Sequence, residues 1–149
     1  MNTRRLIAGM ILAWIPLLLF SQPYEHSAGI RAGYSSGLTY KAFFLFRPTA
    51  IEVTALYNNH GFQAAALLEI HRELDRKGQF MAFAGGGLAV GQREDEFAAG
   101  LVAAAGLEYC LRRIPLCFGI DWKPTLMVLR TTNYDLFDLG LYARYRFKL

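Results

Sequence analysis

The sequence predicts an all-β fold, an eight-stranded antiparallel up-and-down transmembrane β-barrel. Three observations predict it: an N-terminal segment typical of a secretory signal, turn residues at short intervals, and apolar side chains that alternate with polar ones between the turns. The chain has 149 residues, 54% hydrophobic and 19% charged. This composition fits one folded domain and excludes a disordered chain.

The first 21 residues are predicted to be a signal peptide. Arg4 and Arg5 precede an apolar run over residues 6–20, which stops at Ser21. The run is shorter than the about 20 apolar residues that a membrane-spanning helix needs, so an uncleaved anchor is the weaker alternative. We therefore expect cleavage after Ser21, leaving residues 22–149 as the barrel domain. No cysteine lies near this position, which excludes a lipoprotein.

The charge of the chain gives no indication of nucleic-acid binding. The formal net charge is +4, and it falls to +2 when Arg4 and Arg5 are removed with the signal peptide. Residues 22–149 contain no second long apolar helix. If this part lies in a membrane, it must therefore do so as a closed barrel.

Seven turn-forming stretches divide the mature part into eight segments. They are residues 34–37, 46–49, 58–61, 74–78 and 92–96, the stretch around Arg113, and residues 131–134. Each segment with its turn has about 16 residues, enough for a tilted transmembrane strand of about 9–11 residues and a connection. Only the alanine-rich stretch 98–105 leaves a helix open as an alternative.

The period within the segments is two. In the last segment Leu139, Leu141 and Tyr145 fall on one face, while Asp138 and Arg144 fall on the other. Glycines share the charged face: Gly29, Gly33, Gly85, Gly87, Gly106, Gly119 and Gly140. Small residues are needed inside a narrow closed barrel and have no use on an open solvent face, so we expect the charged face to point inward.

Aromatic residues are expected to form two girdles at the membrane interfaces. The sequence places Tyr34, Tyr57, Phe62 and Phe97 at one rim and Phe44, Phe80, Tyr109, Tyr145 and Phe147 at the other. The alternative explanation is the general preference of aromatic residues for strands.

The inward charges are predicted to form a structural network. Its acids are Glu52, Glu69, Glu108 and Asp121, and its bases are Arg31, Lys41, Lys123, Arg144 and Arg146. Buried ions without partners cost several kcal/mol each, so acids and bases should pair. Eight strands leave room for side chains but not for an aqueous pore, so we expect a plugged barrel without transport.

Two cysteines, Cys110 and Cys117, flank the turn around Arg113. An oxidising compartment permits a disulfide between them if they are neighbours across two strands, and two free buried thiols are the alternative. Their spacing matches no metal motif, and we expect neither a metal nor a cofactor.

The signal peptide, the eight period-two segments and the last strand together resemble the small OmpX-like outer-membrane barrels of Gram-negative bacteria. The resemblance implies a monomer in the cell outer membrane, surrounded by lipid and lipopolysaccharide. It also implies that Tyr145, Phe147 and Leu149 act as the signal for the barrel-assembly machinery, although that signal favours an aromatic terminus and Leu149 is aliphatic. The stretch from Gly119 to Pro124 resembles a motif in uncharacterised barrels, and Pro124 predicts a local bulge.

The resemblance leaves the activity open, because this fold hosts adhesion, lipid enzymes and structural roles. We expect a structural or surface-interaction role and no catalytic residues. One alternative is a lipid A hydrolase, for which His60 would have to meet Ser35, Ser36 and Glu94. The other is a secreted soluble, lipocalin-like barrel that binds an apolar ligand.

Overall fold

A computed structural model describes residues 26–44, 49–93, 95–129 and 133–148. The predicted signal peptide and Leu149 lie outside these residues. Ten strand segments form one sheet: β1 (His26–Gly33), β2 (Ser36–Phe43), β3 (Thr49–Asn58), β4 (Gly61–Glu73), β5 (Phe80–Arg93), β6 (Glu96–Cys110), β7 (Leu116–Trp122), β8 (Thr125–Leu129), β9 (Asn133–Asp135) and β10 (Leu139–Phe147). No helix among the described residues is long and apolar enough to cross a membrane.

The sheet closes on itself as an antiparallel barrel. Strand β1 pairs with β2 on one side and with β10 on the other, so the first and last strands meet. Both β7 and β8 pair with β6, which makes them successive parts of one wall strand, and β9 and β10 are likewise parts of the last wall strand. The predicted eight-stranded up-and-down barrel is confirmed. The alanine-rich stretch 98–105, where a helix was the alternative, belongs to β6.

Pro124 marks the break between β7 and β8. Proline has no backbone N–H to donate, so the ladder cannot run through it unchanged. The carbonyl of Pro124 still accepts from the Ala103 amide at 3.0 Å. The register of β6 with β8 shifts between Ala99 and Gly100, opposite Leu129 and Met127, so this irregularity lies beyond Pro124 and not at the proline where a bulge was predicted.

The last wall strand breaks over residues 136–138, beside the first break. Two contacts satisfy the backbone there: the Lys123 amide donates to the Asp138 carbonyl at 2.9 Å, and the Trp122 indole donates to the Leu136 carbonyl at 2.6 Å. The two irregular stretches therefore support each other.

The barrel has two rims. We call the end where β1 begins and β10 ends the terminal rim; the β4–β5 and β6–β7 turns also lie there. The opposite rim has the two-residue connections β1–β2, β3–β4 and β5–β6. Asp95, in the last of these, has φ 66°, a left-handed conformation that Asp and Asn adopt more readily than most residues.

The wall is apolar outside and polar inside. On β3, Glu52, Thr54 and Leu56 are buried, while Val53 and Tyr57 are exposed. Leu88 on β5 is 67% exposed and Leu141 on β10 is 64% exposed, although both lie well inside their strands. The exposed aromatic side chains include four at the opposite rim, Tyr34, Tyr57, Phe62 and Phe97, and four at the terminal rim, Phe44, Phe80, Tyr109 and Tyr145.

Candidate functional site

The interior holds a cluster of buried ionic side chains, which we call the charge network. It comprises Arg31, Lys41, Glu52, Glu69, Glu108, Asp121, Lys123, Asp138 and Arg144, all of them buried. Each except Asp138, which follows the break in the last wall strand, was predicted from its place on the polar face of a period-two segment.

Glu52 on β3 is the centre of the network. Its carboxylate contacts three cations: Lys41 at 3.4 Å, Arg144 at 3.2 Å, and Lys123 through a short ion pair. The Thr39 hydroxyl also donates to it at 3.1 Å. The three cations come from β2, the β7–β8 break and β10, so Glu52 links widely separated parts of the wall.

Lys41 extends the network towards the terminal rim. Its Nζ lies 2.6 Å from the Glu69 carboxylate and 3.2 Å from Nε2 of His71. The His71 ring is stacked on Phe83 and meets Phe43 edge-on, with ring centroids 5.3 and 4.8 Å apart. His71 is therefore held by packing as well as by polar contacts.

Arg144 connects the network to the far side of the lumen. Its Nη1 lies 2.8 Å from the Glu108 carboxylate, which also accepts from the Tyr142 hydroxyl at 3.0 Å. The guanidinium lies over the Tyr142 ring, 3.9 Å from its centroid, which adds a cation–π contact.

Arg31 forms the end of the network nearest the opposite rim. Its guanidinium lies 2.8 Å from Asp121 and 2.9 Å from Asp138. It also donates to the Ser35 carbonyl at 2.6 Å, inside the β1–β2 turn. Asp121 lies 3.5 Å from Lys123 as well, which joins this end to Glu52.

Interior glycines provide the space that these side chains occupy. A Cβ at Gly140 would stand 2.6 Å from Cζ of Arg31, and one at Gly119 would stand 2.2 Å from Cζ of Tyr142. Both distances are below van der Waals contact, so a larger residue at either position would force the Arg31 guanidinium or the Tyr142 ring to move. Glycine on the charged face thus makes room for large side chains inside the barrel.

An apolar cluster fills another part of the interior. Leu67, Phe83, Val102, Met127 and Tyr142 belong to it, together with smaller buried alanines. Tyr142 and Phe83 also contact the charge network, so the two regions are continuous. Side chains packed across the lumen in this way are expected for a small barrel without an aqueous channel.

Two interior features were not predicted from the sequence. Asp138 was assigned to the polar face of the last segment but not to the network, although its position already indicated it. Arg93 and Asp135 form a separate buried ion pair at 2.8 Å, and Arg93 also donates to Gln63 at 3.0 Å. Asp135 was missed because the break over residues 136–138 interrupts the period of two.

The remaining predicted residues lie at the terminal rim. Arg146 was also predicted to join the charge network, and its guanidinium donates to the backbone carbonyls of Leu111 and Ile114 in the β6–β7 turn. Arg146 therefore links the β6–β7 turn to β10. Tyr145 is exposed on the outer wall, Phe147 stacks on His26, and Leu149 lies outside the described residues.

Cys110 and Cys117 are opposite each other on β6 and β7 and form a disulfide, with a Cα–Cα distance of 4.1 Å. The bridge was one of the two alternatives in the sequence analysis. Glu108 lies beside the two sulfur atoms, so the three residues have the proximity of a metal site. Both sulfur atoms are in the disulfide, however, and neither is a thiolate that a metal would need.

The candidate hydrolase residues do not assemble as a catalytic triad. Nε2 of His60 lies 3.8 Å from Asp135, and the Ser35 hydroxyl accepts from the Asn58 amide at 3.0 Å. Within the described residues, no hydrogen bond joins His60 to Ser35 or Ser36. Glu94, the predicted acid, lies outside them.

Comparisons with protein-family models, with curated proteins and with solved structures give no match. The class that the fold and its interior define is a small, closed, eight-stranded antiparallel β-barrel with buried charges.

Proposed function

We propose that this protein is an integral outer-membrane β-barrel of a Gram-negative cell, with a structural or surface-interaction role and no transport pore. One observation carries the proposal: ionic side chains are buried inside the barrel while large aliphatic side chains are exposed over its outer wall. A water-soluble barrel would have the reverse arrangement, because exposed apolar surface is unfavourable in water.

The outer wall supports a lipid environment along its height. Leu38, Val53, Leu88, Leu101 and Leu141 are exposed in the strands, and exposed aromatic side chains lie towards both rims. An apolar band between two aromatic girdles is the surface that a bilayer solvates, with amphipathic rings at headgroup depth. A closed barrel also satisfies the backbone hydrogen bonds that lipid cannot.

The interior argues against a soluble carrier of an apolar ligand. Such a carrier needs an apolar cavity, whereas Glu52, Arg144 and their partners occupy this lumen. A passage for solutes has no support either, because the side chains of the charge network extend across the lumen from one wall to the other. What the barrel offers to a partner is its rims and its outer wall.

The proposal includes export and assembly as outer-membrane barrels undergo them. Residues 1–21 would be removed as a signal peptide, and the alternating Tyr145, Phe147 and Leu149 would be read by the barrel-assembly machinery. We propose a monomer surrounded by outer-membrane lipid and lipopolysaccharide, without a cofactor.

Fractionation and gel migration test the proposal. The full chain is expressed in a Gram-negative host, and outer membranes are separated from the periplasmic fraction. We expect the protein in outer membranes, with migration on a denaturing gel that differs between unheated and boiled samples, as compact barrels show. Recovery as a soluble periplasmic monomer would reject the proposal.

A processing control completes this test. Mass spectrometry of the membrane-bound protein is expected to show a chain that begins at Gln22. Retention of residues 1–21 in an otherwise folded outer-membrane protein would reject the signal-peptide part alone and leave the barrel proposal standing.

A further inference from the structure

The terminal rim carries a group of exposed basic side chains, which we call the basic collar. It consists of Arg72, Arg76, Lys77, Arg112, Arg113 and Lys148. Arg72 lies at the end of β4, two residues lie in the β4–β5 turn, two in the β6–β7 turn, and Lys148 follows β10.

The three parts of the collar are neighbours on one arc of the rim. The Cys110 amide donates to the Gln79 carbonyl at 2.8 Å, which joins the β4–β5 turn to the end of β6. The Arg146 amide donates to the Pro115 carbonyl at 2.8 Å, which joins the β6–β7 turn to β10. The three stretches that carry the six cations are therefore adjacent along the rim.

None of the six collar side chains forms an ion pair within the described part of the chain. Two acids lie close by in the sequence, Glu73 and Asp75. Asp75 is engaged locally, since its carboxylate accepts from the amides of Gln79 and Phe80 at 3.0 and 3.3 Å. Among the described residues of these stretches, the six cations thus outnumber the two acids, which leaves an excess of positive charge.

The described residues of the opposite rim have the reverse polarity. Its exposed charges in the described residues include Asp95 and Glu96, while the nearby Arg93 is buried against Asp135. A barrel with cations at one end and acids at the other has a preferred orientation relative to any charged surface. Solubility alone would not require this separation.

Exposed apolar side chains lie immediately beside the collar. Phe80 and Tyr109 are paired on the outer wall with ring centroids 6.3 Å apart, and Tyr145 is exposed on β10. Aromatic rings at this depth with cations just beyond them match the boundary between acyl chains and phosphate groups. The partner that fits both features is a lipid leaflet with anionic headgroups.

We infer that the basic collar binds the phosphate groups of anionic phospholipids in the leaflet that borders the terminal rim. The inference rests on the proposed membrane function and adds its lipid partner. Strand β1 begins and β10 ends at the same rim, and we propose that this rim faces the periplasm, where the leaflet is phospholipid. The ligand is then phospholipid and not lipopolysaccharide.

Lipid retention tests the inference. The full-length mature protein is folded into vesicles of equal phosphatidylglycerol and phosphatidylcholine, extracted gently, and its retained lipid is quantified by mass spectrometry. We expect enrichment of phosphatidylglycerol on the order of fivefold, falling towards one at about 1 M salt, because exposed charges are screened there.

Two variants separate the collar from general charge effects. The variant R72Q/R76Q/K77Q/R112Q/R113Q/K148Q should lose the enrichment, and R76Q/K77Q/R113Q should lose part of it if the larger variant does not fold. The matched control D95N/E96Q, at the opposite rim, should keep it. Heat-modifiable migration checks that each protein is folded.

Three results would overturn the inference. Equal retention of the two lipids by the wild-type barrel would do so, and so would undiminished enrichment in a folded collar variant or a preference for lipopolysaccharide when both are offered. Failure to insert into pure phosphatidylcholine vesicles is a different result: it rejects the membrane proposal itself, and the collar with it.

Discussion

The guanidinium of Arg31 lies directly against Gly140, so that a Cβ on this glycine would stand 2.6 Å from Cζ. The two residues are on adjacent strands, β1 and β10, at the seam that closes the barrel. Arg31 reaches Asp121 and Asp138 across this glycine. Gly140 thus contributes to the strand pairing that closes the barrel and also leaves the space in which Arg31 pairs with its carboxylates.

The first prediction concerns this contact. Gly140→Ala should lower the free energy of unfolding by about 1–3 kcal/mol, because the added methyl group displaces Arg31 from its carboxylate partners. Urea unfolding in detergent, followed by Trp122 fluorescence, measures the change. Gly86→Ala is the matched control: its Cβ would meet only the Val102 carbonyl, at 3.4 Å, so stability should change little. Equal losses in both variants would contradict the steric explanation.

The second prediction concerns Glu52. Glu52→Gln should destabilise the barrel by about 3–5 kcal/mol, because Lys41, Lys123 and Arg144 would then be buried with less negative charge. The same unfolding experiment measures it. Glu96→Gln, at an exposed position, should change stability by less than about 0.5 kcal/mol.

A double variant separates charge imbalance from loss of a contact. E52Q/K123Q removes one acid and one base, and should be more stable than E52Q alone if uncompensated charge causes the loss. A double variant that is as unstable as the sum of both single variants would show that Glu52 acts through local packing.

The third prediction concerns the disulfide. Replacing both Cys110 and Cys117 by serine should lower stability by about 2–3 kcal/mol, the contribution expected from a short closed loop. Labelling of the unfolded wild-type protein with a maleimide should require prior reduction. Rapid labelling without a reductant would show that the thiols are free.

The fourth prediction distinguishes lipid from water around the wall. Leu101 is exposed in the middle of β6, so Leu101→Arg would be harmless in a soluble protein. In a bilayer the substitution should cost about 2–4 kcal/mol near the midplane. Folding into phosphatidylcholine vesicles measures it, with Leu74→Arg in the β4–β5 turn as the control, for which the cost should be about 0–1 kcal/mol.

The period of two predicted the fold because each wall strand has one apolar and one polar face. Seven turn signals gave the number of strands, and glycine on the charged face gave the direction of the side chains. The period of two fails at the two breaks in the wall. The break beside Pro124 could be anticipated, but the break over residues 136–138 could not, so Asp135 was missed.

Which acid pairs with which base in the charge network could not be predicted from the sequence either. Residues such as Glu52 and Lys123 are far apart in the chain, and their pairing depends on how far each strand is shifted around the barrel. The period of two predicts which side chains point inward, but it does not predict how far each strand is shifted relative to its neighbour. Arg146 shows the limit: it shares the inward period, and near the rim it also binds carbonyls of a turn, which the period does not predict.

The seam between β1 and β10 also bears on how the protein folds. Strand β10 supplies Tyr142 and Arg144, the partners of Glu108 and Glu52. Until that strand is in place, the half-made sheet has an open edge, Glu108 lacks its contacts with Arg144 and Tyr142, and Glu52 lacks one of its three cations. We therefore expect the C-terminal strand to dock late in folding, in one cooperative step. A chain truncated before Leu139 should then be unfolded and protease-sensitive, without a partly stable intermediate.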